Sequence, residues 1–131
     1  MGVLMAGIID YSALNKEPYE HEKAIARFFA EKGKNVIFLK PSNIQDVYTP
    51  DICMDGVEWE MKSPNGNSRR TIRRNLHKAS KQSRNIIFDL SRIGIPQEDC
   101  IRELKSAFES SKHIRNMLII TKERELITLN K

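Results

Sequence analysis

Apolar residues fall along the chain in short blocks that switch between helical and strand periods. Between Pro18 and Lys32 they recur at helical spacing, with Ile25, Phe28 and Phe29 on one stripe. Pro18 suits a first helical turn and Gly33 stands where such a helix would stop. Asn35 to Lys40 (NVIFLK) is a continuous β-branched and aromatic run and predicts a buried strand. DICM and VEWEMK follow, joined by Asp55-Gly56, a dipeptide that marks a two-residue hairpin turn. SPNGN is a loop, and Ser68 offers an N-cap for a helix to about Ser83 whose inner stripe is Ile72, Leu76 and Ala79. Asn85 to Leu90 predicts another buried strand. Pro96 opens a helix with Ile101, Leu104 and Phe108 facing inward, and NMLIIT and ELITLN close the chain as two strands joined at Lys122 to Arg124. The order α, β, β, β, α, β, α, β, β predicts an α/β fold, a mixed central sheet flanked by helices. Residues 1–131 read as a single domain, with 1–16 a loosely ordered N-terminal segment.

The hairpin sets the first chemical question. A two-residue turn at Asp55-Gly56 places Cys53 opposite Glu58, Ile52 opposite Trp59 and Asp51 opposite Glu60. Alternation then puts Asp51, Cys53, Glu58, Glu60 and Lys62 on one face, and Ile52, Met54, Val57, Trp59 and Met61 on a core face. Like charges directly opposite one another destabilise a sheet. Two arrangements relieve Asp51 against Glu60: a solvated face salt-bridged through Lys62, or a divalent cation of the oxygen-preferring kind such as Mg²⁺ or Mn²⁺. Glu22, at i, i+3 and i+7 with Ile25 and Phe29, shares the inward stripe of its helix, where carboxylates are rare unless paired or coordinated. His21 beside it reads as a surface histidine. Trp59 falls on the core face, so packing is expected of it rather than base stacking, for which Tyr48 is better placed.

Charge distribution narrows the partner. From Lys62 through Phe88 the chain has no Asp or Glu, while Lys62, Arg69, Arg70, Arg73, Arg74, Lys78, Lys81 and Arg84 carry positive charge. Formal net charge is +5, and outside that stretch acidic residues outnumber basic ones. A basic surface on a mildly acidic body indicates a polyanionic partner, nucleic acid ahead of an anionic membrane; an uninteresting alternative is a solvated helix face. The two cysteines, Cys53 and Cys100, are too few for a disulfide framework and lack metal spacing, so both are expected reduced and buried. No apolar run approaches the roughly 18 residues needed to cross a bilayer, and MGVLMAGIID has no basic region to make it a signal peptide.

Pro50-Asp51, then Glu60-Met61-Lys62 on the next strand, preceded by a helix bearing Glu22 and followed by a basic helix and a further strand, resembles the PD-(D/E)XK nuclease superfamily. Over Glu22 to about Leu90 the chain is further similar to the C-terminal toxin domains of contact-dependent growth inhibition and related polymorphic toxins, several of which cleave tRNA. The resemblance implies a restriction-endonuclease-like core and a metal-dependent endonuclease. In it Asp51, Glu60 and the Met61 carbonyl would bind Mg²⁺ or Mn²⁺, Glu22 would be a further acidic ligand, and Lys62 would position the attacking water and stabilise charge on the phosphate. Nucleic acid would be held by Arg69, Arg70, Arg73, Arg74, Asn75, Lys78, Lys81 and Gln82, with Asn75, Lys78 and Gln82 nearest the scissile phosphate. Arg84 is assigned to solubility and Glu58 is left out of the site. The implied substrate is tRNA in preference to DNA, the implied site of action the cytoplasm after delivery as part of a larger secreted protein, and the implied partner an immunity protein. A restriction or repair DNase on the same core, and a binding domain without catalysis, are the competing expectations.

Overall fold

The computed structural model of the chain describes residues 5–131; of the segment 1–16 expected to be loosely ordered, residues 1–4 lie outside the described residues, and the rest includes β1 below. The element order is β1 (Ile9–Asp10), α1 (Glu20–Glu31), β2 (Val36–Phe38), β3 (Ile52–Met54), β4 (Val57–Lys62), α2 (Thr71–Gln82), β5 (Asn85–Asp89), α3 (Gln97–Ser110), β6 (Asn116–Ile120) and β7 (Leu126–Asn130). Strands pair in chain order in a seven-stranded mixed sheet. The nine predicted elements are all present, and β1 is an addition. It is two residues long and exists through parallel pairing of Ile9 with Val36 and Asp10 with Ile37, so no local pattern announces it. No helix is long and apolar enough to cross a membrane among the described residues.

Two compact units divide the chain, one running through Trp59 and the other Glu60–Lys131. In the first, α1 buries Ile25, Ala26, Phe28, Phe29 and Ala30. Its end is a Schellman motif: the Lys34 N–H donates to the Phe29 carbonyl (3.0 Å) and the Gly33 N–H to that of Ala30 (2.9 Å). Gly33 takes φ +87°, the conformation that favours glycine. At the hairpin Asp55 (φ 49°) and Gly56 (φ 87°) both lie in the left-handed region, a type I′ turn that matches the strands' twist. The Asp55 carboxylate accepts the Asn35 N–H at 3.1 Å, tying the turn back to the start of β2. The NVIFLK run is a half-open strand rather than a fully buried one, since Ile37 is 45% exposed. Val57, assigned to the core face, is likewise exposed.

In the second unit β4, β5 and β6 run parallel and β7 returns antiparallel. Ile86, Phe88, Met117 and Ile119 on one face of these strands cluster with Ile72 and Ala79 of α2 and Cys100, Leu104 and Phe108 of α3. Cys100 is wholly buried and Cys53 half-buried; both are free thiols. Burial pushes the Cys100 thiol up, and the nearby Glu103 carboxylate acts in the same direction. Because thiolate is the reacting species, Cys100 is protonated and inert at neutral pH. A thiol reagent should therefore modify the folded protein once, at Cys53, and reach the second thiol only after denaturation. Mass spectrometry of a timed reaction reads this directly, and rapid double modification of folded protein would contradict it.

Candidate functional site

The second half of β4 carries the acid and base that the sequence singles out. Parallel register sets Glu60 beside Ile86 and Lys62 beside Phe88, so both side chains share the strand face that α2 and α3 cover. Glu60 is 5% exposed, and the Lys62 Nζ stands 3.5 Å from its Oε2. Withdrawing a carboxylate from water costs several kcal/mol, which a neighbouring ammonium offsets only in part. An apolar side chain would fill the same place at lower cost, so a carboxylate retained there is a functional candidate. Glu58, two residues earlier, is exposed and stays outside the site.

The end of β4 is held by residues the sequence did not reveal. The Arg92 Nε donates to the Ser63 carbonyl (3.2 Å) and Oγ (3.1 Å), and its Nη2 to the same carbonyl. The Gly94 N–H donates to the Gly66 carbonyl at 2.8 Å. These bonds pin the loop after Lys62 to the segment after β5. Asp89, 1% exposed, is met by the Arg124 Nη1 at 3.0 and 3.1 Å. Each partner lies some 30 residues from the other along the chain, so neither pairing leaves a local signal.

Helix α2 begins at Thr71, three residues later than the expected cap. Ser68 instead accepts the Arg70 N–H on its Oγ at 3.2 Å, in the turn leading into the helix. The first turn holds no acidic residue, and Arg69, Arg70, Arg73 and Arg74 crowd its positive end, which the helix dipole disfavours. An anion there would relieve both effects. The structure sorts these cations by direction. Arg69 and Arg73 lean towards α3, at 3.8 Å from Asp99 and 3.9 Å from Glu103, so acidic residues absent from the basic stretch reach it through the fold. Helical spacing puts Asn75, Lys78 and Gln82 on the opposite flank of the helix. Asn75 Nδ2 is bonded to the Thr71 carbonyl at 2.8 Å. Arg70, Arg74, Lys78 and Lys81 are exposed.

In the first unit, Asp51 is half-buried and lies one residue before β3. The ladder runs Met54↔Val57, Cys53↔Glu58, Ile52↔Trp59 as expected. It does not step on to Asp51: the Asp51 N–H donates to the Trp59 carbonyl (3.0 Å), so Asp51 and Ile52 both face Trp59. The Glu22 Oε1 accepts the Tyr19 N–H at 2.8 Å, which makes that carboxylate part of the helix's own N-terminal cap. Trp59 is buried, as its parity predicted, and Tyr48 is exposed. Among the described residues no three His, Cys, Asp or Glu side chains converge as a ready metal cluster. Glu60 and the Met61 carbonyl fit a hard divalent cation by donor chemistry; Glu22 fits least.

The family model described as the contact-dependent growth inhibition CdiA C-terminal domain matches residues 48–126, more than half of the chain. That interval contains Asp51, Glu60, Lys62 and the whole of α2 and α3. Among solved structures, a chain of the CdiA-CT/CdiI toxin and immunity complex from Burkholderia pseudomallei shares the fold with a TM-score of 0.64. The two are 18% identical, and the likeness covers 95% of this chain and 100% of that one. No curated protein matches the chain.

Proposed function

The chain belongs to the contact-dependent growth inhibition CdiA C-terminal domain family, and from that premise we propose that it is a toxin nuclease of PD-(D/E)XK type which hydrolyses phosphodiester bonds in tRNA. The observation that carries this reading is the Glu60–Lys62 pair, held 3.5 Å apart on a strand face beneath an arginine-crowded helix. A bound Mg²⁺ or Mn²⁺ would supply an acidified water and neutralise charge developing on the phosphate. In this reading Glu60 and the Met61 carbonyl would hold that cation. Lys62, a point charge on a flexible stem, orients the attacking water and stabilises the phosphate oxygens. The exposed face of α2 grips the backbone through Arg70, Arg74 and Lys81, and Asn75, Lys78 and Gln82 contact the phosphates nearest the cleaved bond. Arg69 and Arg73 lean on α3 beside this face.

The proposal extends to biology: delivery from another cell as part of a larger protein, action in the recipient's cytoplasm, and neutralisation by a cognate immunity protein. The structural relative, a toxin and immunity complex, supports the last of these. The test is incubation of purified protein with total tRNA and, separately, plasmid DNA, in Mg²⁺, Mn²⁺ or EDTA. Cleavage of tRNA that EDTA abolishes is the expected outcome. Cleavage of plasmid alone would reassign the substrate to DNA. Salt-sensitive binding with no cleavage under any metal would sink the catalytic reading and leave a nucleic-acid-binding domain.

A further inference from the structure

Within the second unit, α2 and the end of α3, with the residues just after it, leave a groove of about 410 Å³ between them. Its floor is apolar, from Leu76, Ala107 and Ile114, and its rim carries Arg73, His77 and His113. The nearby strand ends bear a basic row that the stretch from Lys62 to Arg84 only begins. The Arg115 N–H donates to the Arg84 carbonyl at 2.8 Å, and the Lys131 N–H to the Arg115 carbonyl at 3.1 Å. Three cations therefore stand at neighbouring ends of β5, β6 and β7, their backbones spanning about 10 Å at the ordinary strand spacing. Just inside, the Asn116 Nδ2 donates to the Asn85 Oδ1 at 2.8 Å and fixes the spacing of the first two. The Lys131 Nζ is steadied over the Phe108 ring, 5.0 Å from its centroid, and by the Ser111 carbonyl. Arg84 and Arg115 are exposed, with no ion pair to an acidic residue among the described residues. Like charges side by side on adjacent strands repel, and a bound polyanion relieves that repulsion.

We propose that this row and the groove beside it form a second nucleic-acid contact, separate from the Glu60–Lys62 pair. The row holds the sugar-phosphate backbone, and the groove takes an unstacked base against its apolar floor between His77 and His113. Imidazole faces and an arginine over an apolar floor are what recognition of a splayed single-stranded base uses. A lipid surface fits less well: every large apolar side chain exposed among the described residues lies at or before Val57, so this end has nothing to insert. The inference rests on the nucleic-acid reading above and extends it to a substrate long enough to reach a second site, such as a folded tRNA.

The test pairs wild type with Arg84→Gln/Arg115→Gln and with His77→Ala/His113→Ala, each verified as folded by its thermal melt. Binding of labelled full-length tRNA is measured in EDTA across a salt series, and cleavage of a short single-stranded oligonucleotide in Mg²⁺. The arginine variant should bind tRNA roughly tenfold more weakly, with the log–log salt slope shallower by about two. The histidine variant should lose on the order of fivefold to a hundredfold with its slope unchanged. Short-oligonucleotide cleavage should stay at the wild-type rate in both. Wild-type tRNA affinity and slope in the arginine variant would overturn the proposal, while the short-substrate rate judges the nuclease reading independently. Binding of wild type, but not of the arginine variant, to anionic phosphatidylserine vesicles with no tRNA binding would overturn it in favour of a membrane.

Discussion

Glu60→Gln should lower nucleic-acid cleavage by on the order of a hundredfold or more while the protein stays folded. The amide has nearly the carboxylate's shape, so packing beneath α2 is kept; what is lost is the charge that would hold a cation and face Lys62. Lys62→Met should lose cleavage to a similar degree for a different reason. It keeps an apolar stem but leaves a carboxylate that is 5% exposed without the ammonium 3.5 Å away. Breaking a fully buried pair from one side costs about 3–5 kcal/mol. Lys62 is 22% exposed, so water screens part of that and roughly 1–2 kcal/mol of destabilisation is expected. The two variants are thus separable: both inactive, only the lysine variant less stable. Glu58→Gln, outside the site, should change neither property. Initial rates on tRNA beside urea melts make the measurement, and a folded Glu60→Gln that cleaves at the wild-type rate would remove Glu60 from catalysis.

The largest stability effect should come from Arg124→Ala. Asp89 is 1% exposed and receives Arg124 Nη1 at 3.0 and 3.1 Å, from a turn residue whose φ is 61°. Removing the guanidinium leaves a carboxylate at the end of β5 with the Ser91 N–H still donating to it at 3.0 Å. Arg124 is 38% exposed, so the expected loss is roughly 2–3 kcal/mol rather than the full cost of a buried charge. Adding Asp89→Asn should recover part of it, because no charge then remains buried. Denaturant unfolding gives both numbers, and an Arg124→Ala midpoint indistinguishable from wild type would show the pair to be energetically silent.

What the sequence made legible follows the range of the forces involved. The α, β, β, β, α, β, α, β, β order, the Asp55-Gly56 turn, Gly33 as a helix stop and the pairing of Ile52 with Trp59 are local, and all are observed. Strand parity placed Trp59 inside and Glu58 outside, but it could not foresee that β4 changes surroundings along its length. Val57 and Glu58 are exposed, whereas Trp59, Glu60 and Met61 are all buried, because the second half of the strand is covered on both faces. Asp51 slipped from its expected place opposite Glu60 through one backbone bond to Trp59. Glu22 was drawn to its own helix terminus, an alternative use of a carboxylate that helical spacing alone does not exclude. The partners of Arg69 and Arg73 come from α3, and those of Ser63 and Asp89 from Arg92 and Arg124. Those pairings are settled by the fold, at distances along the chain that no motif encodes.

The chain-order sheet has a consequence for how the molecule forms. Every strand pairs only with its neighbours in sequence, so each pairing closes across a single connection and no strand inserts between two laid down before it. The entropy of loop closure is met one connection at a time, least across the hairpins and most where α1, α2 and α3 cross between parallel strands. A chain fed end first through a narrow passage would lay down its sheet strand by strand in order of arrival, with no rearrangement required at the end.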